Sequence, residues 1–116
     1  MSALPDTPVT VEAEIRQTVT WITRGVDACH AAYEAKLAAA RAYDVAFARA
    51  YVEASGPQAE KRYLAELATV GEREARDVAD AAHRYAEAKA RTLRDRLDSL
   101  RSIGASVREA YRASGV

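Results

Sequence analysis

The chain has 116 residues, which suggests one domain at most. It is 49% hydrophobic, but 27 residues are alanine, which favours helix and fills little volume, so a thick apolar core is excluded. Lys+Arg and Asp+Glu are 17 each, and a formal charge of zero gives no argument for a nucleic acid, a membrane or an acidic partner by itself.

The distribution of charge says more. Residues 84–116 carry 8 basic and 4 acidic groups, so the last third of the chain is +4 and the remainder −4. Cys29 is the only cysteine, which excludes an internal disulfide framework and fits a reducing compartment. No run approaches the roughly 18 apolar residues of a membrane span, and the first residues lack the basic start and apolar stretch of a signal peptide. The expectation is a soluble cytoplasmic protein with no membrane association.

In chain order, residues 1–8 read as an N-terminal arm. A first helix is predicted over 9–55, opened by Thr7-Pro8 or Thr10 with proline in the first turn. Its large apolar residues recur as Ile15, Val19, Ile22, Val26, Cys29, Tyr33, Leu37 and Ala40, then Phe47 and Tyr51. The steps of three and four are helical. Two steps of four around Leu37 bring the average close to 3.6, which points to a straight hairpin rather than a regular coiled coil.

Ser55-Gly56-Pro57 is the clearest punctuation, with glycine to end one helix and proline to open the next. A second helix is predicted over 57–113. Thr69 followed three residues later by Glu72 is a capping-box pattern, so a break near 69–71 is the alternative to one continuous helix. The short connection favours an antiparallel neighbour. The fold class is therefore all-α: a single-domain, long antiparallel helical hairpin. Residue i faces about residue 111 − i if the turn sits at 55–56. Such a hairpin buries only one stripe per helix, so assembly into a homo-oligomer is expected. Leu93, Leu97, Leu100, Val107 and Tyr111 form the seam for core or oligomer contacts.

Chemistry is sparse. His30 and His83 have no second ligand at metal spacing, and a phosphate loop or nucleophile elbow is absent, so no enzyme, metal or cofactor is expected. Two constellations remain. Tyr43, Phe47 and Tyr51 share a helix face, with Arg41 and Arg49 interleaved in sequence. They read either as packing at the hairpin tip or as a base-stacking surface. Arg94, Arg101, Arg108 and Arg112 fall within about 40° of one another on the second helix. They read either as partners of acids on the opposing helix, such as Glu12 and Glu14, or as a row of phosphate contacts.

Asp98-Ser99-Leu100-Arg101-Ser102-Ile103-Gly104-Ala105-Ser106-Val107-Arg108, with Tyr51 to Ser55-Gly56 upstream, resembles the UvsY-type recombination mediator proteins of tailed phages. The order of elements agrees from about residue 33 to residue 112. That family carries two basic residues before its Ser-Gly, and here Arg49 alone carries over. The resemblance implies a non-catalytic, ring-forming protein that binds single-stranded DNA. It would help load a recombinase onto DNA covered by single-strand-binding protein, which makes those two proteins further partners. The alternative is a structural or scaffold helical protein of a phage particle or other assembly.

Overall fold

The structure is a computed structural model and describes residues 7–115. It is all-α among those residues: α1 spans Pro8–Glu53, α2 Gln58–Ala68 and α3 Val70–Ala113. Of the expected N-terminal arm, residues 1–6 lie outside the described residues. The first helix ends two residues earlier than the predicted 55, and the predicted 57–113 helix is two helices.

Local chemistry accounts for each boundary. Thr7 and Thr10 cap α1 reciprocally: the Thr10 amide donates to Thr7 Oγ1 at 3.2 Å and the Thr7 amide to Thr10 Oγ1 at 3.1 Å. This is a capping box with threonine in place of the usual glutamate, and Pro8 occupies the first helical position. After α1, Gly56 takes φ +112°, a conformation that favours glycine. Pro57 then holds extended backbone (φ −60°, ψ 153°) at the entry to α2.

The break between α2 and α3 sits at Thr69, but not because of a capping box. The Thr69 hydroxyl turns backwards and donates to the Ala65 carbonyl at 2.7 Å. The Arg73 guanidinium donates to the Glu66 carbonyl at 2.9 Å. Two carbonyls at the end of α2 are thus satisfied by side chains, which lets the backbone leave the helix and re-enter it one residue later.

The chain divides into two compact units, residues 7–28 with 87–115 and residues 29–86. In the first, α1 and α3 run antiparallel. Val11 packs on Gly104, and Glu14 pairs with Arg96 at 2.7 Å. Val11, Thr18, Leu100 and Gly104 are buried, while Ile15, Ile22, Gly25, Leu93, Leu97 and Val107 are half-buried. In the second unit, Tyr33 meets His83 with ring centroids 5.3 Å apart, and Lys36 binds Asp80 at 3.2 Å. Arg76 lies over the Tyr43 ring at 4.4 Å. Cys29, Ala32, Lys36, Ala39, Tyr43, Ala46 and Ala50 turn inward from α1, and Arg76, Ala79, His83 and Ala86 from α3.

These inward positions alternate steps of four and three within each unit, which is a seven-residue period. The expected 3.6 average is therefore corrected. It came from following large residues, whereas Val19, Val26 and Tyr33 are 43%, 59% and 45% exposed. Thr18, Gly25 and Ala32, each one position earlier, take the inward places. Smaller residues thus hold these inward places and the larger residues flank them.

The register also differs from the expected one. Lys61 lies over the Tyr51 ring, within one residue of the position predicted for a turn at 55–56. Beyond the break, Tyr33 and Lys36 meet His83 and Asp80, each five residues further along than predicted. The slip arises between Lys61 and Asp80, the stretch that contains Thr69. A turn rule that assumes two uninterrupted helices cannot anticipate it.

Candidate nucleic-acid interface

Arg94, Arg101 and Arg108 are exposed and lie on α3 within the first unit. Each follows an inward-facing residue by one position: Leu93, Leu100 and Val107. The seven-residue spacing matches the period of the seam, so the three stay at its edge. Glu14 and Arg96 each precede an inward residue and meet across the seam, which shows that like edges of the two antiparallel helices face each other. On the edge that carries the three arginines, α1 supplies Glu12, Val19 and Val26. The only acid among them, Glu12, lies 3.6 Å from Arg16 on its own helix.

The expected pairing of this row with Glu12 and Glu14 is therefore not formed. Glu14 pairs with Arg96 instead. Arg94, Arg101 and Arg108 enter no ion pair among the described residues. Arg112, one turn beyond, lies 3.3 Å from Glu109. Three exposed guanidinium groups in line, each with five donors and a fixed charge, suit the oxygens of an external polyanion.

The aromatic run belongs to the second unit. Tyr43 and Phe47 have centroids 6.0 Å apart, and Phe47 and Tyr51 stack at 6.5 Å with 26° between planes. All three are half-buried. Arg76 covers Tyr43 and Lys61 covers Tyr51, and these cations come from α3 and α2. The ladder is thus engaged by the other helices of its own unit, with an open groove beside it lined by Phe47, Tyr51, Arg62 and Tyr63. Arg41 and Arg49 are exposed. At 100° per residue they sit about 120° and 160° around α1 from the ladder, so nearness in sequence does not bring them to the same face.

Of the expected seam, Leu100 is 4% exposed, Leu93, Leu97 and Val107 are half-buried, and Tyr111 is 37% exposed. These side chains line the α3 side of the first unit. The covering roles of Lys61 and Arg76 were not foreseen, and that of Arg76 depends on the register beyond the break at Thr69. Among the described residues no His, Cys, Asp and Glu cluster could hold a metal ion, and no helix is long and apolar enough to cross a membrane. Comparison with protein-family models, with curated proteins and with solved structures gives no match for this chain.

Proposed function

We propose that the chain is a non-catalytic, homo-oligomeric helical protein that binds single-stranded DNA and acts as a recombination mediator helping to load a recombinase. The observation that carries the DNA-binding reading is the row Arg94, Arg101 and Arg108, exposed and without an acidic partner among the described residues. A flanking arginine that stabilised the hairpin would have its acid across the seam, as Arg96 has Glu14. Arginines left without one are free for phosphate oxygens, and repetition of the row by symmetry in an oligomer multiplies the contacts. The preference for single strands and the mediator role rest on the resemblance to the UvsY-type proteins.

Fluorescence anisotropy with labelled single-stranded and duplex oligonucleotides tests this reading. Binding to the single strand that weakens steeply with salt is the expected result. No binding at low salt by the assembled protein removes it.

The second reading is a scaffold component of a particle or other assembly. The favouring observation is the amount of exposed apolar surface, with Val52 at 77%, Leu67 at 72% and Tyr85 at 71%. Recovery of the chain in purified particles, together with no affinity for DNA, would select it.

A further inference from the structure

One face of α3 is apolar, exposed and turned away from the seam. Val78, Ala81, Ala82 and Tyr85 lie on it, bounded by Glu74 at one end and Lys89 at the other, and all six are exposed. At 100° per residue they fall within a sector of about 100°, centred roughly 115° around the helix from Ala79, His83 and Ala86. Val78 is 69% exposed and Tyr85 71%, large apolar side chains that no described residue covers.

The face has a symmetry that a solvated surface does not need. Val78 stands three residues before Ala81, and Tyr85 three residues after Ala82. Glu74 stands seven before Ala81, and Lys89 seven after Ala82. Glu74 and Lys89 enter no ion pair among the described residues, and about 22 Å of helix axis separates them, so they cannot reach each other. Both lie on the one continuous helix Val70–Ala113, so helix geometry alone fixes their placement.

We propose that this face is the self-association surface, on which a second copy docks its α3 antiparallel with the two-fold axis between Ala81 and Ala82. The inference rests on the homo-oligomeric part of the proposed function and names the surface and its occupant. In this arrangement Val78 meets Tyr85 of the other copy, and Glu74 meets Lys89, twice over by symmetry. The alanines at the axis let the helices approach closely. The two charged residues on this face are Glu74 and Lys89, and the pairing sets no like charges opposite one another there. A parallel arrangement would set Glu74 on Glu74 and Lys89 on Lys89. Charge complementarity therefore selects a second copy of this helix, reversed, as the occupant.

Sedimentation velocity of the full chain without DNA, over a range of concentrations, tests the proposal with charge reversals. Glu74→Lys and Lys89→Glu are each expected to weaken self-association at least about tenfold, because each sets like charges together at two places. The double variant Glu74→Lys with Lys89→Glu restores it. Circular dichroism is expected to be unchanged, as both side chains are exposed. In a Cys29→Ser background, Ala81→Cys is expected to cross-link two copies on mild oxidation, whereas Ser106→Cys, on another part of α3, does not. A chain that stays monomeric at all concentrations contradicts the oligomeric reading as a whole. An oligomer that ignores both reversals and fails to cross-link at position 81 contradicts this surface alone. Neither result touches DNA binding by the arginine row.

Discussion

Val11 of α1 packs directly on Gly104 of α3 in the first unit: a Cβ added to Gly104 would stand 3.0 Å from Val11 Cγ1. Val11 is 1% exposed and has no room to withdraw. Glycine normally weakens a helix interior by about 1 kcal/mol relative to alanine. Here Gly104→Ala is expected to lower the melting temperature despite that gain, since the two backbones must part to admit the methyl group. Gly25→Ala is expected to raise it by the equivalent of about 0.5–1 kcal/mol, because nothing lies within 4 Å of its added Cβ. Thermal unfolding of the two variants side by side checks the opposite signs.

Thr69 holds the α2–α3 break by the bond from its hydroxyl to the Ala65 carbonyl, at a side chain only 2% exposed. Thr69→Val keeps the shape and removes the donor. Leaving a buried carbonyl unsatisfied costs about 1–3 kcal/mol, which urea unfolding would read as a lower midpoint. Thr69→Ser keeps the donor and is expected to lose much less.

Lys36 occupies an inward position of the second unit and is held by Asp80, which also binds Arg84. Asp80→Ala strands the lysine and is expected to cost about 1 kcal/mol or less at this part-exposed site. Lys36→Met together with Asp80→Ala is expected to recover the loss, since an apolar pair of similar volume is often no less stable than an ion pair. A double-mutant cycle by denaturant unfolding measures the coupling.

The helical class, the start at Pro8 and the turn at Gly56-Pro57 were legible because each rests on local chemistry: alanine bias, fixed proline geometry, and the positive φ that glycine accepts. The break near Thr69 was legible as a place and not as a mechanism, since a hydroxyl bond back to Ala65 leaves no spacing signature. The seam was misread for a physical reason. Where Gly25, Ala32, Lys36 and Ala39 turn inward, the apolar pattern of the large residues traces the flank and not the contact. The aromatic ladder was legible as one face of a helix, but its cover was not: Arg76 reaches Tyr43 from beyond the slip in register, and a cation over a ring, as Lys61 over Tyr51, leaves no spacing signature. The arginine row was legible as a row. That it has no acidic partner among the described residues required the three-dimensional pairing of Glu14 with Arg96 and of Glu12 with Arg16.

The salt dependence of single-stranded DNA binding tests the central claim most directly. Each phosphate contact on a single strand contributes about 0.7 to the slope of log affinity against log salt. Replacing Arg94, Arg101 and Arg108 by glutamine is therefore expected to flatten the slope by about 2 for each engaged protomer, with a large loss of affinity at low salt. Arg96→Gln, which removes the group already bound to Glu14, is expected to leave the slope nearly unchanged. A triple variant that binds with the same affinity and the same slope as the parent chain would contradict the account and return the row to an ordinary solvated edge of α3.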